Sequence, residues 1–190
     1  MSSHITVADS FDLDYQTHLS RGVDDPGPGS SLAPMTEDPW LNDTEAAIWL
    51  GFLRTWTLLV DELDRRLREA AGISLAEYEV LAFLDTSDTG SLRMSELKHQ
   101  VLVSKTRLTH IIDRLEGSGL VTRARDDIDG RGVRARITAK GRRLQHRAAA
   151  GHVQDVRQLL IDHIPARLQR DLIKSLDDAR GALGDPFLND

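Results

Sequence analysis

Between Ser95 and Ile137 the spacing of apolar residues changes twice, and this change restricts the possible folds more than any other feature of the chain. Leu97 and Val101 give an inward face to a short helix, Glu96 to Val101, capped by Ser95. Leu102 and Val103 form a two-residue link. Ser104 then caps a second helix, Lys105 to Glu116, in which Leu108, Ile111, Ile112 and Leu115 recur at three- and four-residue steps. Gly117 and Gly119 end it. Past Gly119 the period shortens to that of strands. Leu120 to Arg125 reads as one strand, Val133 to Ile137 as its antiparallel return, and Asp126 to Gly132 as the loop between them, with Asp129-Gly130 at its tip.

Two helices joined by a tight link and followed by a hairpin predict a winged helix-turn-helix. The second helix of such a unit protrudes, and its outer face fits a major groove about 12 Å wide. The outward residues here are Ser104, Lys105, Thr106, Arg107, Thr109, His110 and Arg114. Hydroxyls and amines near a helix N-terminus suit phosphates and base edges, aided by the helix dipole. The hairpin adds Arg123, Arg125, Arg131, Arg134 and Arg136, and Arg131 at its tip is placed to enter a minor groove.

The charge distribution agrees with this reading. The chain of 190 residues has a net charge of -6, which by itself argues against a polyanion partner. Residues 1–45 carry net -8, residues 46–90 net -4, residues 91–147 net +8 and residues 148–190 net -2. The basic block coincides with the helix pair and hairpin. A solvated basic surface without a partner gives the same numbers, so charge alone leaves both readings open.

The flanks are helical. Asn42 with Glu45 has capping-box spacing and opens a helix of about 28 residues, ended by Gly72. Trp49, Phe52, Trp56, Leu59, Leu63 and Leu67 fall on one stripe of it. A stripe this long predicts an extensive packing partner such as a second chain. Ser74 with Glu77 repeats the capping box for a helix presenting Tyr78, Leu81 and Leu84, and Leu92 to Met94 could form a very short strand. Thr138 starts a helix from Ala139 to about Asp162, loosened at Gly151, before Pro165 breaks the chain. A last helix, Ala166 to Leu183, places Leu168, Leu172, Ile173 and Leu176 on one face. The expected organisation is an acidic tail over 1–39, a dimerisation helix over 40–73, a winged lobe over 74–138, C-terminal dimerisation helices over 139–183 and a tail over 184–190. The fold class is mainly α with a small β-hairpin wing.

Several functions are disfavoured. Without cysteine there is no disulfide framework, thiolate metal site or cysteine nucleophile. No apolar run approaches the roughly 20 residues of a membrane-spanning helix. Met1 to Ser20 lacks a basic residue and does not read as a secretory signal, so a cytoplasmic location is expected. His146, His152 and His163 are spaced by six and eleven residues, which is not the spacing of a helical metal pair. No nucleophile elbow or phosphate-binding glycine loop occurs. Neither a catalytic residue nor a cofactor is expected.

The run "VLVSKTRLTHIIDRLEGSGLV", residues 101–121, followed by "DIDGRGVRARITAKG", residues 127–141, resembles the MarR family of bacterial transcription regulators. The matching residues include Leu97, Ser104, Asp113, Arg114, Gly119, Arg123, Arg131 and Gly141, and the likeness extends over about residues 42–183. The family usually has Asp-Arg-Arg at the wing tip, where this chain has Asp129-Gly130-Arg131, so one arginine is missing. The resemblance implies a homodimer on a pseudo-palindromic double-stranded DNA operator, usually as a repressor. It also implies a small aromatic or anionic effector bound between the dimer helices and the DNA lobe. Without cysteine, the family's peroxide-sensing branch is excluded.

Each assignment has a plainer counterpart. Lys105, Arg107, His110 and Arg114 are DNA contacts or solvated charges. Asp113 and Arg114 could instead form ion pairs holding the helix to the wing, and Asp129 could orient Arg131. Trp49, Trp56 and Tyr78 are candidate pocket residues or simply core. The alternative to a DNA-binding regulator is a winged-helix protein-interaction module.

Overall fold

Residues 40–101, 103–125 and 132–185 are described in a computed structural model of the chain. The acidic tail, Leu102, the wing tip with Asp129 and Arg131, and the last residues lie outside the described residues. The chain divides between Asp61 and Glu62 into two compact units. The elements are α1 (Asp43–Ala71), α2 (Leu75–Thr86), β1 (Ser91–Arg93), α3 (Met94–Val101), α4 (Lys105–Gly117), β2 (Val121–Arg125), β3 (Val133–Ile137), α5 (Ala139–Leu159), a 3-10 turn (Ile161–His163) and α6 (Ala166–Ala182). The fold is mainly helical with one small antiparallel sheet, as the sequence predicts.

In the first unit, the Asn42 side chain accepts the Glu45 N–H at 3.0 Å, and the Glu45 carboxylate accepts the Asn42 N–H at 2.9 Å. This is the expected reciprocal cap. No described residue of this unit is buried within the single chain. The apolar stripe is open to solvent here, with Ile48, Trp49, Phe52 and Trp56 all exposed.

The second unit contains the core. Val80, Leu81 and Leu84 of α2 are fully buried, as are Leu97 of α3 and Ile112 of α4. Leu67 at the end of α1 and Val121, Ala135 and Ile137 of the sheet complete the same cluster. Each buried valine, leucine or isoleucine here is worth about 1.5–3 kcal/mol relative to exposure. The helix-turn-helix is therefore set on a continuous apolar floor.

The sheet has three strands in the order β1-β3-β2. Val121 pairs with Ile137 and Arg125 with Val133, which is the expected hairpin. The third strand is Ser91–Arg93, with Leu92 opposite Ala135. It begins and ends one residue earlier than expected, because Met94 already belongs to α3. The cap of α3 differs accordingly. Ser95 lies inside the helix, and the Glu96 carboxylate accepts the Arg93 N–H at 2.7 Å in place of a serine cap. Two backbone bonds close the lobe, Ile137 N–H to Gly90 O and Thr138 N–H to Leu120 O, both at 3.0 Å.

The C-terminal helices also depart from expectation. α5 runs through Gly151 without a break and ends at Leu159, three residues early. Leu160 leaves the helical region with φ -134°, and the next residues form the 3-10 turn ahead of Pro165. At its other end α5 lies against the sheet. A Cβ on Gly141 would fall 2.2 Å from the Leu120 carbonyl oxygen, so only glycine fits. α6 has no buried residue, and Leu168, Leu172, Ile173 and Leu176 are exposed. Among the described residues no helix is long and apolar enough to cross a membrane.

Candidate nucleic-acid interface

The candidate interface is built on α4. Its back face, Leu108, Ile111, Ile112 and Leu115, is buried to 2% exposure or less and fixes the helix on α2. Its first turn is capped as expected, with the Ser104 hydroxyl oxygen accepting the Arg107 N–H at 3.2 Å. At the far end Gly119 adopts φ +69°, a left-handed conformation suited to glycine, and the chain turns into β2.

The predicted contact residues fall into two groups. Ser104, Lys105, Thr106, Arg107, Thr109 and His110 are exposed on one face of the first two turns. Among the described residues none forms a hydrogen bond or ion pair with the side chains of Lys105, Thr106, Arg107 or His110. The Thr109 hydroxyl donates to Lys105 O at 3.0 Å. Burial raises the Glu79 carboxyl above its ordinary pKa while the charge of Arg107 opposes the shift, so one acid faces this end of the helix.

Three of the remaining described members, Arg114, Arg123 and Arg134, have partners within the chain. Arg114 Nε donates to Glu77 Oε1 on α2 at 2.8 Å. Arg123, at the foot of the wing, pairs with Asp113 at 2.7 Å and Glu116 at 2.6 Å. Arg134 donates to Ser91 O at 2.9 Å. The ion-pair reading of Asp113 thus holds through Arg123, whereas Arg114 pairs away from the wing. Arg125 and Arg136 are exposed along the strands.

Sequence reading recognised Glu77 as a helix cap and missed its second task. Its Oε2 accepts the Ser74 N–H at 2.8 Å and the Ser74 hydroxyl at 3.0 Å, while Oε1 holds Arg114. Burial pushes this carboxyl up, but the Ser74 N–H, the Arg114 guanidinium and the Ser74 hydroxyl outweigh burial and leave its pKa below the ordinary value. Asp85 was also missed. It binds Arg142 at 2.6 Å and His146 at 2.7 Å, tying the end of α2 to α5.

A cavity of about 370 Å³ lies between the last turns of α1 and the middle of α5. Leu67, Ala70, Leu144 and Ala148 line its apolar side; Arg66, Arg147, His152 and Asp155 supply its polar groups. Arg66 is bonded to Asp155 at 2.6 Å and to Gln158 at 3.1 Å. Among the described residues His152 Nδ1 is buried without a hydrogen-bond partner. Burial holds this imidazole below its ordinary pKa against the pull of Asp155. None of the expected pocket residues lines it: Tyr78 touches it only through His152, whose ring lies 4.5 Å from its own, and Trp49 and Trp56 belong to the first unit. Among the described residues no group of three or more histidine, cysteine or acidic side chains could hold a metal ion.

Comparisons with known proteins bear on this geometry. The model of the MarR family matches residues 73–133, from the start of the lobe into β3. Sco3205, a MarR family transcriptional regulator from Streptomyces coelicolor solved in complex with DNA, is 35% identical with a TM-score of 0.72, covering 77% of this chain and 92% of that one. AbsC, a MarR family transcriptional regulator from the same organism, is 34% identical with a TM-score of 0.73, covering 77% and 98%. Among curated proteins, the HTH-type transcriptional regulator PecS of Dickeya dadantii is 27% identical over 119 residues, 62% of this chain and 72% of that protein.

Proposed function

The chain belongs to the MarR family of transcriptional regulators, and from that membership we propose that it is a homodimeric, sequence-specific DNA-binding repressor acting in the cytoplasm. One observation carries the proposal. The first two turns of α4 present a hydroxyl- and cation-rich face over a fully buried back face, and among the described residues its Lys105, Thr106, Arg107 and His110 side chains form no hydrogen bond or ion pair. Ser104, Lys105, Thr106, Arg107, Thr109 and His110 contact phosphates and base edges in a major groove. Arg125 and Arg136, exposed on the strands, follow the backbone beside it, and Arg131 is the residue for the adjacent minor groove.

Dimerisation is supported by apolar surface that the single chain leaves open. Trp49, Phe52 and Trp56 in one unit and Leu168, Leu172 and Ile173 in the other are exposed. Such surface on a regulator marks a protein interface. Residues 40–73 and 139–183 form that interface, and 74–138 form the reading lobe. Two such lobes span half-sites one DNA turn apart, roughly 34 Å.

The cavity between α1 and α5 is the effector site. Its volume falls within the range of small-ligand pockets, about 300–1,000 Å³, and its apolar wall beside Arg147 suits a small organic acid. Such a ligand releases DNA only by binding the two states with different affinity.

The test is a fluorescence-anisotropy titration with DNA from the chain's own promoter region and scrambled DNA, each at two salt concentrations. Tight, selective and salt-steep binding is expected. Weak binding that is equal on both DNAs and flat in salt would reject this reading and favour the protein-interaction module.

A further inference from the structure

Three elements meet at the Glu77 carboxylate. It caps the N-terminus of α2 through Ser74 and at the same time holds Arg114, two turns along the outer side of α4. The N-terminus of α2 is itself tied to α1, since Asp64 Oδ1 accepts the Leu75 N–H at 2.8 Å while Oδ2 binds Arg68 at 2.6 Å. A continuous polar path thus runs from α1 through the first turn of α2 to the reading helix. The Glu77 side chain is 11% exposed and that of Arg114 is 60% exposed. The acid is therefore fixed by its surroundings, and the arginine reaches back to it from the surface.

Resting on the proposed reading of α4 as the DNA-reading helix, we propose that Glu77 is a positioning residue, a brace that sets the pitch of α4 against α2 by holding Arg114. Arg114 then belongs to the scaffold, and sequence discrimination is delivered by the helix half that begins at Ser104. The Glu77–Arg114 bond adds a directional tie between α4 and α2 that the apolar back face does not itself supply. Leucine and isoleucine contacts are non-directional, and a charge-assisted hydrogen bond is directional.

The substitutions Glu77→Gln and Arg114→Met separate the brace from its rivals. Glutamine at position 77 can still accept the Ser74 N–H, so the cap survives while the charge is lost. Hydrogen exchange of the free protein is the first readout and needs no DNA. Amides of residues 112–118 are expected to exchange roughly fivefold to tenfold faster in either variant, and no faster in the double variant, because one bond is lost in all three. Unchanged exchange overturns the brace.

DNA titration of the same proteins is the second readout. Each single variant is expected to lose about fivefold to tenfold in the ratio of operator to scrambled affinity, with the double variant equal to the singles. The slope of log affinity against log salt should not change. A slope lowered by about one in Arg114→Met would make Arg114 a phosphate contact and reject the brace. An undiminished ratio in Glu77→Gln would reject it as well. Absence of selective binding by the parent protein would count against the proposed function alone, since the exchange measurement still judges the brace.

Discussion

Arg123 binds Glu116 twice, through its backbone N–H at 3.0 Å to Oε1 and through its guanidinium at 2.6 Å to Oε2. The first residues of the wing are thereby locked to the last turn of α4, and Asp113 takes the other side of the same guanidinium. The arginine also reaches Thr109 O at 3.3 Å. Wing and reading helix form one rigid piece at this corner. Arg123→Gln should lower stability by roughly 1–3 kcal/mol, the range for losing charge-assisted hydrogen bonds. Paired with Glu116→Gln the losses should fall short of their sum, as denaturant titration of the four proteins will show.

The exposed end of α4 gives a contrasting prediction. Lys105→Ala and Arg107→Ala should leave the unfolding midpoint nearly unchanged, because among the described residues neither side chain forms a hydrogen bond or ion pair. Each should reduce DNA affinity and lower the salt slope by about one if its cation meets a phosphate. Measurement on operator and scrambled DNA then sorts them, since a phosphate contact weakens both equally while a base contact weakens only the operator.

Two glycines of α5 should respond oppositely to alanine. At Gly141 the new Cβ meets the Leu120 backbone oxygen at 2.2 Å and the Ile137 side chain at 3.0 Å. Gly141→Ala must therefore push α5 off the sheet and should destabilise the protein by roughly 1–3 kcal/mol. At Gly151 a Cβ meets nothing within 4 Å. Gly151→Ala should raise stability by about 0.5–1 kcal/mol through helix propensity alone. Thermal melts at one protein concentration compare them.

His152 predicts an acid-sensitive stability. Its folded pKa is depressed by burial, with Asp155 opposing. The unfolded chain therefore binds this proton more readily, and the neutral imidazole's contribution is complete above about pH 6.5 and lost as pH falls below it. The melting temperature should drop between pH 7.5 and 5.5. In His152→Gln that part of the drop should disappear, and an unaltered pH profile would refute the assignment.

The open face of α6 gives the last prediction. Ile173→Glu with Leu176→Glu places two acids on a surface that is solvent-exposed in the single chain. The isolated fold should tolerate them, as surface substitutions usually do. If that face is the dimer interface, analytical ultracentrifugation will show the mass halved and operator affinity will fall with it.

What was legible in the sequence was local. The caps at Asn42, Ser74 and Ser104 rest on partners three residues away, and all three occur as read. The left-handed turn at Gly119 and the change from helical to strand period behind it were equally plain. What escaped was distant in sequence. The one-residue offset of the short strand, expected over Leu92 to Met94 and found over Ser91 to Arg93, is set by its pairing with Ala135 and neighbours more than forty residues away. The second role of Glu77 was hidden for the same reason, since Arg114 lies 37 residues away. The early end of α5 has no signal comparable to Pro165, because Leu160 to Ile164 would fit a helix by composition. The apolar stripes on α1 and α6 were visible as patterns, but pattern alone does not separate a face buried within one chain from a face left for another.

The pairing of β1 with β3 encloses everything between Arg93 and Val133, including the whole of α4, in a loop closed by that pairing. During synthesis, α4 leaves the ribosome before the strand that completes its support. A nascent chain ending at β2 has the helix and lacks the closing strand, so the floor beneath the helix is missing Ala135 and Ile137. The support of α4 is therefore completed only when the second half of the wing emerges. Termination between the end of β2 and the start of β3 yields a fragment with all of α4 and without the strand that completes its support.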